Sequence, residues 1–497
     1  MPANGLIYAP PDACACFMRV KMPGYLAVGP RRGDGTMRLP AEPVIERGPA
    51  HGTSAEATLD GDWPMYRRDP SRSGSALRAI DGNLSRQWSA QLAGRLTQPV
   101  VANGTVVVAE VDAHTVHALD ARTGARRWAY TAGGRVDSAP TVYKGLVLFG
   151  SADGWVYALR LSDGALSWRF RAAPEERLVY SYGQLESTWP VHGAVLVQNG
   201  VLFASAGRAT YLDGGIVLYR IDPVTGAQLS HTVLYDIDPK TTRQTAYEGN
   251  FDMEGSRNDV LVGDGESVFI KHLRFDAQGK KAPVDKPHLL AIGGFTENEW
   301  MYRTYWLIGT ASGAGFFEWA SAARQVPFGR ILNITDDAVY GYGRVMISGS
   351  KTGHKLDGYH LFRSPKIMQF TGYGGGKPPR GKKRPRGKNQ QKPKPVWSDT
   401  NAPIVRAMVV AGETLVVAGP PDLGKKVDKG GLRFANPDEA LAAVRGQKGV
   451  LLQVRSIKDG RTIHKADLSA VPVFDGMSSA DGRVYISLES AALECWE

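Results

Sequence analysis

Residues 118–128 read ALDARTGARRW and residues 158–168 read ALRLSDGALSW. The stretches lie forty residues apart and end on Trp128 and Trp168, and Trp88 precedes them by the same interval. Upstream of each comes a proline, a short β-like run, a turn dipeptide and a second run, with Pro99 and Asn103-Gly104 in one copy and Pro140 and Lys144-Gly145 in the other. A period of about 40 residues holding four β-like runs is the spacing of propeller blades. In the repeated turn an Asp or Thr side chain caps backbone N–H groups while the Gly takes positive φ. The Trp four residues beyond that Gly falls on the outer strand, where it can lie flat over the neighbouring blade and bury about 150–250 Å². Trp88, Trp128 and Trp168 are therefore assigned as structural docking residues.

The pattern continues through Ala194 to Tyr235, Asp259 to Ile292, Tyr302 to Phe370, Val405 to Val471 and Phe474 to Trp496. These segments predict an all-β, closed β-propeller of four-stranded antiparallel blades over residues 61–497, with seven blades favoured and eight as the alternative. The run near Gln87 to Leu92 is available to complete the last sheet, and such closure removes open sheet edges. Residues 1–60 are expected to be an N-terminal remnant and linker. Composition agrees: 58 Gly and 30 Pro in 497 residues suit many short strands and tight turns and disfavour an all-helical chain.

A formal charge of +11 ordinarily raises nucleic acid as a partner. Here the charge is local. Lys377, Arg380, Lys382, Lys383, Arg384, Arg386, Lys388, Lys392 and Lys394 fall within residues 372–396 with no acidic residue among them. That Gly/Pro/Lys/Arg insertion is expected to be disordered, and without aromatic residues among its charges it lacks the means to stack bases. Nucleic acid is not the expected partner.

Three cysteines, Cys14, Cys16 and Cys495, make no disulfide framework, and no second pair joins Cys14 and Cys16 in a metal site. The histidines are scattered, so no metal centre is expected. No apolar run reaches about 18 residues, so no membrane span is expected. The first residues lack the basic start and apolar core of a secretory signal, which places the protein in the cytoplasm if Met1 is the true start.

Ala118 to Trp128 and Ala158 to Trp168 resemble the quinoprotein-type propeller repeat, the A-x-D-x-x-T-G-x-x-x-W element of pyrroloquinoline-quinone-like β-propellers. The second copy departs from it with Arg160 at the Asp position and Ser162-Asp163 before its Gly. Trp63 to Asp69, with Ser73-Gly74, resembles the segment that commonly leads into such a ring. The stretches Asp252 to Phe269, Arg303 to Leu307 and Arg406 to Asp422 are similar to large propeller proteins of planctomycetes and related bacteria. Asn4 to Pro30 is similar to a segment that precedes the ring in longer members, which implies a start upstream of Met1 and a periplasmic or extracellular location.

The resemblance implies either of two functions. The first is a non-catalytic binding or scaffolding propeller without a cofactor, holding a protein or a polar small molecule on its loop face or in its funnel, as a monomer or as part of a longer multi-propeller chain. The alternative is a pyrroloquinoline-quinone-dependent dehydrogenase acting on an alcohol or sugar with calcium. Members of that class use an adjacent-cysteine disulfide, and this chain has no adjacent cysteines. No catalytic residue is assigned. Candidate ligand or partner residues sit in the insertions, where loops of successive blades converge. They are Arg177, Tyr180, Gln184, Glu186, Trp189 and His192; then Asp252, Glu254 and Arg257; then Asn298, Trp300, Arg303 and Tyr305. If the basic insertion packs against nothing, deleting residues 377–394 should leave the melting temperature within about 2 °C of the parent. A cooperative drop in a calorimetric scan would show instead that it is docked.

Overall fold

Two-residue turns with both residues at positive φ match the right-handed twist of paired strands, and this sequence supplies them where the repeat requires. Asn103 and Gly104 have φ of 49° and 66°, Lys144 and Gly145 46° and 70°, and Asn199 and Gly200 51° and 76°. Each joins the first two strands of an antiparallel meander. The computed structural model describes residues 1–10, 26–30, 37–52, 57–238, 240–241, 247–248, 252–253, 255–291, 306–310, 326–345, 358–366, 394–426 and 432–497. Cys14, Cys16 and residues 372–393 of the basic insertion lie outside these.

The first blade is Val100–Ala102, Thr105–Glu110, Thr115–Asp120 and Arg126–Thr131, and the second is Thr141–Tyr143, Leu146–Gly150, Trp155–Arg160 and Leu166–Arg171. Leu196–Gln198, Val201–Ala206, Ile216–Ile221 and Gln228–Leu234 form the third; Leu261–Gly263, Val268–Ile270, Leu273–Phe275 and Lys281–Ala282 form the fourth. His288–Ala291, Trp306–Gly309 and Phe328–Gly329 make a three-stranded fifth sheet. The sixth is Ile331–Ile334, Ala338–Arg344, Tyr359–Pro365 and Trp397–Asp399; the seventh is Ala407–Ala411, Thr414–Gly419, Leu451–Ser456 and Thr462–Asp467. In the last sheet Arg86–Gln91 pairs antiparallel with Ala492–Trp496, beside Arg483–Leu488 and Pro472–Ala480, so an early strand completes the final blade. Successive sheets touch all the way round, through their innermost strands except where Trp306–Gly309 of the fifth sheet meets Ile331–Ile334 of the sixth, and the last touches the first. The fold is thus an all-β, closed propeller.

Two boundaries differ from the sequence reading. Trp306–Gly309 pairs with His288–Ala291, so the break drawn between Ile292 and Tyr302 falls inside one sheet. Counting that sheet separately brings the described sheets of the ring to eight. Ile45–Arg47, assigned from sequence to the N-terminal remnant, adds to the outer edge of the second blade, with Trp168 opposite Arg47 and Phe170 opposite Ile45. Arg169 pairs with Glu46 at 2.6 Å across this edge.

Neighbouring blades are joined by one repeated contact. Trp128 covers Gly164 of the next blade and donates from Nε1 to the Leu161 carbonyl at 2.8 Å; Trp168 covers Gly226 and donates to Pro223 at 3.2 Å. Trp88, on the strand that completes the last sheet, covers Gly124 of the first blade and donates to Ala121 at 3.1 Å. Trp397 repeats the contact over Gly460 and Ile457. Glycine is required twice over at Gly164: its φ is 74°, and a Cβ there would sit 2.7 Å from the Trp128 ring.

The lead-in segment, residues 62–76, runs through the middle of the ring and touches every sheet. Trp63 bridges Val101, Pro64 accepts from the Val142 N–H at 2.6 Å, Pro70 from Gly263 at 2.7 Å and Ser73 from Ile334 at 2.8 Å. Ser75–Ala76 pairs in parallel with Val410–Ala411. Arg67 and Arg72 are both buried. Arg67 Nη1 lies 2.9 Å from Asp475 Oδ2, its other terminal nitrogen donates to the Leu332 carbonyl, and its guanidinium lies 5.7 Å from the Trp306 ring centre. Arg72 donates to the carbonyls of Leu261 and Tyr66 at 2.9 Å each and points at those of Ala194 and Val195. Burial pulls Arg72 down to about 10, so it remains charged at neutral pH. Removing one partner of a buried ion pair leaves the other uncompensated, so Arg67→Met should lose about 3–5 kcal/mol in urea unfolding, and Arg67→Met with Asp475→Leu should regain much of that. A single-variant loss below about 1 kcal/mol would show that the ring does not depend on this pair.

Candidate functional site

In a four-stranded meander the first and third turns lie at one end, while the second turn and the link to the next sheet lie at the other. The short Asn-Gly and Asp-Gly turns occupy the first end. The second end carries the long connections, including residues 172–195 and 207–215, and a helix Pro437–Val444 capped by Asn436 that sequence patterning did not single out. On this face Leu178–Ser181 and Gln184–Ser187 form a hairpin closed by Tyr182 and Gly183, with φ of 51° and 79°.

The hairpin has two unlike sides, because strand side chains alternate. Leu178, Tyr180 and Leu185 point away from the ring and are 60%, 76% and 64% exposed; Tyr180 and Leu185 are directly paired. Gln184 and Glu186 point toward the ring. Gln184 accepts from His114 Nε2 at 2.6 Å and donates to the Asp112 carbonyl at 3.0 Å, reaching over the first blade. Glu186 is buried between two guanidinium groups, Arg135 at 2.9 Å and Arg208 in close contact. Arg135 also pairs with Asp137 at 3.1 Å and lies 4.5 Å from the centre of the Tyr182 ring. His192 donates from Nδ1 to Asp137 at 2.7 Å. Both carboxylate oxygens of Asp137 and Oε1 of Glu186 therefore accept from a guanidinium or imidazole donor, while Glu186 Oε2 lies beside Arg135 as an ion pair without an aligned hydrogen bond. The arrangement fixes the hairpin in place.

Arg177 stacks 4.5 Å from the Trp189 ring centre and pairs with Asp213 at 2.7 Å, while Trp189 Nε1 donates to the Asp213 carbonyl at 2.9 Å. The structure thus brings Arg177, Gln184, Glu186, Trp189 and His192 together as the underside of one hairpin and puts Tyr180 on its outside. Arg257 is buried beyond it, where Ala209 bridges Arg257 and the Asn258 N–H donates to the Arg208 carbonyl. Next to Arg257, Asp259 is buried with Lys271 Nζ 3.7 Å away, and burial raises its carboxyl against the pull of that cation. Asp252 lies in a two-residue strand whose side chains are not described, and Glu254, Asn298, Trp300, Arg303 and Tyr305 lie outside the described residues.

Sequence reasoning missed Arg135, Asp137, Arg208 and Asp213, which come from the loops of neighbouring blades. It also passed over Leu178 and Leu185, although LVYS-YG-QLES, alternating on either side of a turn dipeptide, carries the signal that would have found them. Among the described residues no group of three or more His, Cys, Asp and Glu side chains is placed to hold a metal ion. The quinone site of the dehydrogenase alternative does not fit the residues described: Cys495 is a buried free thiol within the last sheet, and Arg67 and Arg72 fill the middle of the ring where the lead-in segment crosses it.

Burial raises the Asp137 carboxyl, but the His192 hydrogen bond and charge together with Arg135 outweigh it and hold the group well below the usual carboxylate range. The stabilisation is present above the unfolded value of about 3.9 and is lost as pH falls through the lower folded value. Asp137→Asn should cost about 2–3 kcal/mol at pH 7, and the gap from the parent should shrink as acid titrations pass below about pH 4. A gap that grows in acid would contradict this balance.

The family described as outer membrane protein assembly factor BamB matches residues 73–271. Outer membrane protein assembly factor BamB of Moranella endobia (strain PCIT) is 36% identical over 146 residues, 28% of this chain and 35% of that protein. The protein of the same name from Yersinia pestis is 36% identical over 159 residues, 29% of this chain and 38% of the other. The chain spans little more than a third of the length of these curated relatives. Among solved structures, quinohemoprotein alcohol dehydrogenase from Comamonas testosteroni is similar in fold, with a TM-score of 0.51 at 15% identity over 88% of this chain and 80% of that one. Repeats, sheet order and this partial match together give a β-propeller whose repeats over residues 73–271 are of the quinoprotein type.

Proposed function

We propose that this propeller is a non-catalytic protein-binding module that works in assembly outside the cytoplasm, with its partner docking on the hairpin of residues 178–187. The observation that carries the reading is the pairing of an exposed apolar side, Leu178, Tyr180 and Leu185, with a buried underside whose charges are matched. A rigid hairpin with apolar residues held in water loses little conformational entropy on binding and gains by covering them. The local likeness to BamB assembly factors supports a protein as the partner and a periplasmic setting. Likeness to a quinohemoprotein dehydrogenase is one of fold, and a fold does not carry an activity.

The test compares the parent with Leu178→Asp and Leu185→Asp in cross-linked capture from bacterial envelope extract. Both variants should fold with unchanged melting temperature, since these positions are exposed, and should lose a discrete partner by about tenfold or more. Equal capture by parent and variants would remove the hairpin from the interface. Quinone-dependent alcohol or sugar oxidation, abolished by changing one carboxylate of the ring, would overturn the non-catalytic reading.

A further inference from the structure

The outer strand of each blade has a free edge of backbone N–H and C=O groups, and such edges pair with other strands unless they are covered or charged. The second blade is covered by Ile45–Arg47. Other outer strands of six residues carry exposed charges: Arg126 and Arg127 in the first blade, Lys465 and Asp467 in the seventh, and Arg86 in the last. Gln228–Leu234 of the third blade differs. At seven residues it is the longest outer strand among those described, it contains no Lys, Arg, Asp or Glu, and its outward residues are Leu229, His231 and Val233. Leu229 and Val233 are 50% and 42% exposed. The inward residues are held against the fourth blade, with Thr232 donating to the Gly279 carbonyl at 2.7 Å and Ser230 to Gln278 at 3.4 Å. Among the described residues no strand pairs with this outer edge.

The order of residues indicates what covers it. Around His231 the strand is nearly symmetric: Ser230 and Thr232 flank it, then Leu229 and Val233. Antiparallel pairing of two copies about a two-fold axis through His231 sets Leu229 opposite Val233 of the second copy, both times, and Ser230 opposite Thr232. A two-fold interface requires such self-complementarity, and apolar pairs directly opposite stabilise a sheet while like charges there oppose it. We propose that Gln228–Leu234 joins two copies of this chain edge to edge, making an eight-stranded sheet across two third blades. This goes beyond the docking hairpin and departs from the monomer expected from sequence. One strand pair is a small interface, so the dimer is in concentration-dependent exchange with the monomer.

Sedimentation velocity of the full chain, from low micromolar to several hundred micromolar, should show a rising dimer fraction. His231→Lys puts two ammonium groups face to face and should weaken the dimer by at least about tenfold without lowering the melting temperature, whereas His231→Val should strengthen it. In a chain carrying Cys14→Ser and Cys16→Ser, His231→Cys should form an intermolecular disulfide under mild oxidation, because residues directly opposite bring their Cβ atoms within reach. Ser230→Cys, facing inward, should not. A monomer at every concentration overturns the proposal and assigns the edge to a different chain or to none. A dimer indifferent to His231→Lys, in protein that retains its melting temperature, overturns it equally.

Discussion

One buried ion pair, Arg67 with Asp475, ties the segment that enters the ring to the sheet that ends it. Around it the guanidinium groups of Arg67 and Arg72 gather carbonyls from the third, fourth and sixth sheets, so charges that would be costly alone are matched by donors and acceptors from all round the ring. A propeller has no apolar core running through its axis; its cores lie between blades. Here a 15-residue segment takes that place and makes each sheet's position depend on the same few atoms.

At the rim a second constraint operates. The Trp-over-Gly contacts repeat between blades because each needs only one ring, one left-handed glycine and one carbonyl. They set the distance between neighbours, while the central segment sets their distance from the axis. The loops above inherit both. The hairpin of residues 178–187 rests on the connections of the first, second and third blades, so its exposed Leu178, Tyr180 and Leu185 are as well placed as the ring itself.

How much of this was legible in the sequence depends on whether the signal is local. The turn of Asp120 to Gly124 and its Trp128 sit within nine residues, and they announced blades, docking residues and ring. Trp397 plays the same part as Trp128, yet the long insertion before it breaks the forty-residue interval and hides it. The sheet of His288–Ala291 and Trp306–Gly309 was misdivided for the same reason. Arg135, Asp137 and Arg208 were invisible as a set, because nothing in their own surroundings shows that three loops will bury them around Glu186. The central role of Arg67 was beyond reach as well: its partner is over 400 residues away.

That distance has a consequence for how the molecule is made. Residues 86–91 wait for residues 492–496, and Arg67 waits for Asp475, so neither contact forms until about 400 further residues have been made. Until then Trp88 has no completed sheet from which to cover Gly124, and Arg67 has not met Asp475. Closing a loop of this size carries an entropy penalty that grows only with the logarithm of its length, but it comes before most of the reward. Nascent protein therefore passes through an open arc with two unsatisfied sheet edges, the stage at which a holdase chaperone would matter most.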